Sequence, residues 1–398
     1  SRFDVNLQEQ VVDTISEWQQ SGFLDVVIDE ALQTQIDELE EDVKTNYLTI
    51  EQHNIDMELK ANKSDLVEVN VLSHGADPTG TLDNTEVVFP KGTYKGNFKI
   101  GKPISIDFQN SVLINELDDE PIINVSGEQT NPRLVTGNPK YGQKSFILAD
   151  TDNLQPGDIG YLYDESVRPG DSTPKINVEL IKIANVVGSQ VFVEDIIRSD
   201  MNTGSVYFVK INKLKGVVLK NVETRPTQTH NSHNIYIEGC DSPLLENVET
   251  WGFKRHGVRF VYSYNPIIIR SKYKDPIATG SGQGYGLSFS GCRNGYGEHI
   301  EETGCRHTVD MAGSYHCLVE NINGTADVYL SHNGYGGFNS VRNFTTKTNS
   351  AAATVSRQGI ADLNKVIARG YTIENIDIVV PDNTPDMYNA LIYIQTDY

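Results

Sequence analysis

The chain has 398 residues and a formal net charge of −21 with its nine histidines neutral. That charge argues against a general binder of nucleic acid or of anionic membrane, both of which need Lys and Arg, and no run of 18 apolar residues is available to span a bilayer. The length exceeds one ordinary core, a limit that a solenoid does not have.

Residues 1–64 hold no Pro and a single Gly, Gly22. Leu32, Ile36, Leu39, Val43, Ile50 and Met57 follow one another at steps of 4, 3, 4, 7 and 7, an a/d seam of period 3.5. The spacing predicts an α-helical coiled coil that joins copies of the chain, with Asn46 and His53 as polar seam residues. A single amphipathic helix packed on a globular body is the simpler alternative, but no neighbouring hydrophobic element exists for it to cover. Upstream, Trp18, Phe23, Leu24, Val26, Val27 and Ile28 form a denser apolar stretch suited to docking on another protein or to helix core. There is no signal peptide, and an opening on Ser-Arg without Met suggests that residues precede it.

Residues 65–130 read as short strands and turns. They contain Ser73-His74-Gly75-Ala76-Asp77-Pro78-Thr79-Gly80-Thr81-Leu82-Asp83-Asn84-Thr85, then Val87-Val88-Phe89-Pro90-Lys91-Gly92-Thr93-Tyr94. Residues 131–215 do not share the rhythm of residues 216–398. Phe146–Leu148, Gly157–Tyr163, Glu179–Ile183 and Gln190–Val193 read as strands of an antiparallel insertion.

From residue 216 to 398 two phrases recur. The first sets Asn between a charged and an apolar residue: Lys220-Asn221-Val222, Glu246-Asn247-Val248, Glu320-Asn321-Ile322, Arg342-Asn343-Phe344 and Glu374-Asn375-Ile376, at offsets of 26, 74, 22 and 32. The second alternates apolar and outward residues: Asn234–Cys240, Gly257–Ser263, Gly286–Cys292, Thr308–Ser314 and Asp327–Asn333. Repeats of this length with at least two strands and no helix predict a parallel β-helix. Cys240, Cys292, Cys305 and Cys317 all lie in the repeats without metal or CxxC spacing, so free buried thiols are expected, with no metal and no cofactor.

Alternation sorts the second phrase into two faces. Ile235, Val258, Leu287, Val309 and Val328 face in, as do Ile237, Phe260, Phe289, Met311 and Leu330. Tyr236, Arg259, Ser288, Asp310 and Tyr329 face out, one per coil. Glu238 and Ser331 flank this column on one side, Asn234 and Asp327 on the other. His233, His256, Tyr285 and His307 precede the strands. An exposed surface of this make-up suits glycan, since aromatic rings cover sugar faces and charged groups hydrogen-bond hydroxyls. An ordinary polar sheet face has a similar composition. The candidate sugar contacts are Tyr236, Arg259, Tyr329, His256, His307 and Glu238. Asp310 and Asp327, one coil apart and offset by two residues, have backbones about 8 Å apart, which fits an inverting glycosidase pair with His307 beside it. Glu238 is three coils from Asp310, roughly 14 Å, too far to join them. Glu298, Glu301 and Glu302 read as a solvated turn or a subunit contact.

The motif at 73–85 resembles the opening of the pectate-lyase-like β-helix family found in phage tailspikes and appendages, and residues 87–94 resemble that family's first strand and turn. The resemblance covers residues 65–398. A Gly-Asp-Ile after Pro156 resembles a small β subdomain inserted in such proteins. The resemblance implies a right-handed parallel β-helix on a virion appendage, a homotrimer joined to other tail, baseplate or neck proteins through its N-terminus. It also implies attachment to host cell-surface polysaccharide, with or without depolymerisation. A catalytically silent adhesin and a purely structural spike are the alternatives. Lyases of this fold use an Asp cluster for calcium with an Arg base, and no such cluster is visible, so hydrolysis fits better than elimination. The family's cap helix between the two motifs is missing, and the end at Ile392–Tyr398 falls in mid-strand; both suggest further segments.

Overall fold

The computed structural model describes residues 69–70, 86–167, 174–198, 200–201, 205–332, 336–347, 353–356, 371–378 and 392–395. The expected coiled coil of residues 1–64 and the motif at 73–85 lie outside the described residues. Within them the chain is all β, without a helix.

The Asn phrase marks a bend. The strands Val218–Thr224, Leu244–Trp251, Ile267–Lys274, Tyr296–Thr303, Leu318–Gly324, Ser340–Thr346 and Thr372–Ile378 stack in parallel. Each carries one residue of positive φ near its middle: Asn221 at 55°, Asn247 at 53°, Arg270 at 56°, His299 at 53°, Asn321 at 55°, Asn343 at 50° and Asn375 at 53°. Left-handed backbone is costly for most L-residues and tolerated by Asn. The bend resets the alternation. Leu219 is buried before Asn221, and Val222 and Thr224 are buried after it, so both halves of the strand face the core. Asn side chains ladder between coils, with Asn247 Nδ2 donating to Asn221 Oδ1 at 2.8 Å and Asn343 Nδ2 to Asn321 Oδ1 at 3.0 Å. The 74-residue gap in the phrase holds two further coils, whose bend positions are Arg270 and His299.

Among the described residues a second parallel sheet, of nine strands, closes the coils. Its register aligns Ile235, Val258, Leu287, Val309 and Val328, and also Ile237, Phe260, Phe289 and Met311. All of these are fully buried, and the rings of Phe260 and Phe289 stack at 5.5 Å. Stacked coils of this kind, with parallel sheets and a continuous core, form a parallel β-helix. The four cysteines are free, and Cys240, Cys292 and Cys317 are buried in the core.

Between Ile123–Ser126 and Val218–Thr224 the chain leaves the coils and forms an antiparallel sheet. Ile159–Val167 pairs with Pro174–Val187 on one side and with Val206–Asn212 on the other. That double pairing closes Arg133–Thr136, Ser145–Leu148, Ile159–Val167, Pro174–Val187, Gln190–Val193 and Val206–Asn212 into a small barrel. Phe146, Leu148, Leu162, Ile183, Val191 and Phe208 fill it.

The barrel is fastened to one corner of the coils. Ile159, Leu180 and Ile211 pack on Tyr264, and the ring of Tyr161 stacks on Tyr262 at 4.5 Å. Tyr262 occupies a left-handed position, φ 45°, that Gly239, Gly291 and Gly313 hold in other coils. Gly291 makes room for it, since a Cβ there would lie 2.7 Å from the Tyr262 ring. Arg293 is 3% exposed; it donates to the Leu180 carbonyl at 3.0 Å and to Asp195 Oδ2 at 2.5 Å, and lies 3.8 Å from the fully buried Glu179.

Candidate functional site on the outer face of the second sheet

The outward column forms in the expected register, Tyr236 to Arg259 to Ser288 to Asp310 to Tyr329. A second column precedes it, where His256, Tyr285, His307 and Asp327 align. Because each coil repeats the same position, the rings of the second column follow one another along the solenoid axis, with Tyr285 and His307 stacked at 11° and the others tilted. His233 and His256 are 4.8 Å apart, His256 and Tyr285 4.8 Å, and Tyr285 and His307 5.0 Å, while Tyr329 of the first column comes within 4.2 Å of His307. These spacings follow the roughly 4.8 Å between neighbouring strands.

Asp327 reaches this second column through a β-bulge. On Asp327–His332 only two residues, Asp327 and Val328, oppose the three from His307 to Val309. Such bulges re-aim side chains. The offset estimated from regular strands is therefore corrected: Asp327 stands opposite His307, and His307 Nδ1 lies 2.5 Å from Asp327 Oδ1. Asp310 accepts from Ser288 Oγ at 3.3 Å.

The face is not the exposed surface that alternation suggests. Ser288 is fully buried, and Asp310, Asp327, His256 and His307 are between 3% and 7% exposed. Coils are one strand spacing apart, and the shorter side chains lie beside larger ones, Ser288 next to Arg259 and Asp310 next to Tyr329. Asn234 is also corrected: it is fully buried and donates to Thr224 Oγ1 and to the Trp251 carbonyl. Glu302, read as part of a solvated turn, is 4% exposed and accepts from the amides of Cys305, Thr325 and Ala326.

The two carboxylates act on the tyrosines beside them. Burial first, then the Asp327 charge, push the Tyr329 hydroxyl up to about 12. Burial and then Asp310 raise Tyr285. Asp310, Asp327, His307, Tyr285 and Tyr329 therefore form one cluster. Arg306 joins it, with its guanidinium over the Tyr285 ring and Nη1 3.4 Å from the Tyr285 hydroxyl.

Glu238 lies at the far end of the face. It accepts from the Tyr236 hydroxyl at 3.1 Å and from Gln129 Nε2 at 2.7 Å. Gln129 in turn accepts from the Tyr161 hydroxyl at 2.9 Å. Arg259 donates through Nε to Ser290 Oγ at 3.2 Å. Gln129, Tyr161 and Arg306 are site neighbours that the repeat pattern does not identify. Gln129 sits beside the coils' departure point, 109 residues from Glu238, Tyr161 lies on the inserted barrel, and Arg306 lies just outside the strand. Among the described residues no group of three His, Cys, Asp or Glu converges to hold a metal ion, and no helix is long and apolar enough to cross a membrane.

No protein-family model matches the sequence, and no curated protein matches it. Solved structures do match. The tailspike protein gp49 of Pseudomonas phage LKA1 is 15% identical at a TM-score of 0.56, over 77% of this chain and 56% of that one. The tailspike gp61 of Pseudomonas phage phi297 is 16% identical at a TM-score of 0.57, over 78% and 57%. The chain has the fold of the phage tailspike β-helices, and it spans a little over half the length of those proteins.

Proposed function

We propose that this chain is the β-helix body of a phage tailspike or tail appendage, carried on the virion, that attaches it to a host cell-surface polysaccharide. In this reading the coils wind right-handed in the pectate-lyase-like manner, residues 65–130 and 216–398 form the β-helix, and residues 131–215 are the insert. Residues 1–64 join three copies and dock on another virion protein. The fold likeness supports the tailspike reading, and the heptad seam supports the trimer. Light scattering of the intact protein should give three times the chain mass.

One observation carries the functional reading. Two carboxylates, Asp310 and Asp327, lie on adjacent coils beside a row of closely spaced His and Tyr rings. Tyr236, Arg259 and Tyr329, the half-buried members of this face, offer surface to a sugar, and paired carboxylates are what glycoside hydrolysis uses. Asp310 and Asp327 act as acid and base, and Tyr236, Arg259, Tyr329, His256, His307 and Glu238 position the sugar. The test is reducing-end release from purified wall or capsular polysaccharide, alongside retention of that glycan by the protein. Retention with release supports a depolymerase. Absence of both removes the reading and leaves a purely structural spike.

A second reading is a silent adhesin. The 2.5 Å contact of Asp327 Oδ1 with His307 favours it, because that oxygen already has a partner. Retention of glycan without release is its signature.

A further inference from the structure

The inserted barrel carries a row of side chains that the coils alone do not explain. Tyr163 opposes Tyr207, and Tyr207 opposes Leu134, so the three cross adjacent strands in one line. Leu162, Val206 and Phe208 alternate with them and point into the barrel core, which puts the row on the outside. Leu134 is 57% exposed, and Tyr163 and Tyr207 are half-buried. Tyr161 lies on the same outer face. The ring centroids run Tyr262 to Tyr161 at 4.5 Å, Tyr161 to Tyr163 at 6.0 Å and Tyr163 to Tyr207 at 5.2 Å.

The direction of this row follows from its contacts. The strand Ile159–Val167 starts with Ile159 against Tyr264 and reaches Tyr262 at Tyr161. Along the coil, passing from Tyr264 to Tyr262 moves from the corner toward the second sheet. Two residues further on, Tyr163 and its neighbour Tyr207 carry the row of rings onward from Tyr161 across the barrel. A line of hydrogen bonds bridges the seam, from the Tyr161 hydroxyl to Gln129, from Gln129 to Glu238, and from the Tyr236 hydroxyl to Glu238.

We propose that Tyr163, Tyr207 and Leu134 extend the sugar-binding face from the coils onto the barrel, so that the chain holds a long oligosaccharide across the seam. This rests on the glycan-binding reading above. A sugar offers alternating C–H faces and hydroxyls. Ring surface and an aliphatic side chain cover the first, and phenol hydroxyls bond the second. Each sugar gains little by itself, so a long row is what makes a glycan stay. Continuity with Tyr236 and Glu238 favours glycan over a second copy of the chain as the occupant.

The test begins with an array of purified bacterial capsular and O-antigen polysaccharides. Fragments of a retained glycan are sized into short and long fractions and titrated calorimetrically into the Asp310→Asn protein, which prevents cleavage. Tyr163→Ser and Tyr207→Ser, each added to it, should weaken the long fragments roughly three- to tenfold and leave the short ones unchanged. Tyr163→Phe, which keeps the ring, should retain most of the affinity. Val187→Ser, at a barrel residue 60% exposed, should change neither fraction. Melting temperatures check that the barrel still folds, and the Phe variant decides should a Ser variant unfold. Equal affinity of all variants for long fragments overturns the extension while leaving the coil site intact. A drop in assembly mass with unchanged affinity overturns it in favour of a subunit contact. Retention of no glycan by the parent removes the underlying reading, and the extension with it.

Discussion

Asp327 Oδ1 lies 2.5 Å from His307 Nδ1, and the two residues face each other only because a bulge takes one residue out of the register of their strands. A regular strand would leave Asp327 one position out of the ring column. The bulge sets it beside Tyr329 and within the field felt by Tyr285.

If the chain hydrolyses glycan, Asp310→Asn and Asp327→Asn should each reduce turnover about a hundredfold or more while binding persists, because general acid–base help is typically worth 10²–10⁴. His307→Gln should reduce turnover less than loss of Asp327 itself. Reducing-end assays with the three variants beside the parent check this. Undiminished release by both Asp variants would place the chemistry elsewhere.

Arg293 should be the most costly single residue to remove from the barrel–coil seam. Arg293→Ala removes the guanidinium 3.8 Å from the fully buried Glu179, which also accepts from the Arg198 amide, an effect of about 3–5 kcal/mol. Pairing Arg293→Met with Glu179→Gln should recover much of that loss, since the buried charge is removed together with its cation. Urea unfolding of the single and double variants measures the difference.

The interrupted Asn ladder offers a stabilising change. Arg270→Asn and His299→Asn put the residue that tolerates left-handed backbone at φ 56° and 53° and link Asn247 to Asn321. The gain should be about 1 kcal/mol for the pair. The Arg270–Glu246 ion pair that the first substitution removes has its Arg side chain more than half exposed and contributes little. A lower melting temperature in the double variant would count against the ladder as a stabilising element.

Burial above all, with Arg259 and Arg255 adding to it, holds the His233 imidazole well below its ordinary 6.5. His233 Nδ1 also lies 3.0 Å from His256 Nδ1, a contact that two protonated rings could not keep. Below 6.5 the unfolded chain takes up a proton that the folded chain refuses, so stability is full above that value and falls as pH drops through it. His233→Gln should flatten the loss of melting temperature between about pH 7.5 and about pH 5.5. His230 and His316, also held low by burial, keep the slope from vanishing. An unchanged slope would mean that His233 protonates freely in the fold.

The solenoid, its inward column and the alignment of Tyr236, Arg259, Ser288, Asp310 and Tyr329 are legible in the order of the residues alone. Strand alternation and a coil-length repeat are local properties, and stacking coils in register converts sequence offsets directly into neighbours. The same repeat shows Asn221, Asn247, Asn321, Asn343 and Asn375 but hides Arg270 and His299, because the slot asks for a backbone conformation and Asn is only its commonest occupant. Tertiary structure alone decided three things. It placed Asp327 opposite His307, since a bulge leaves no mark in composition. It buried Asp310 and Ser288, since how far a side chain is covered depends on the size of its neighbours one coil above and below. It closed the insert into a barrel and fastened it by Arg293, Glu179 and the Tyr161–Tyr262 stack, because antiparallel closure and docking join residues far apart in the chain that no periodicity relates.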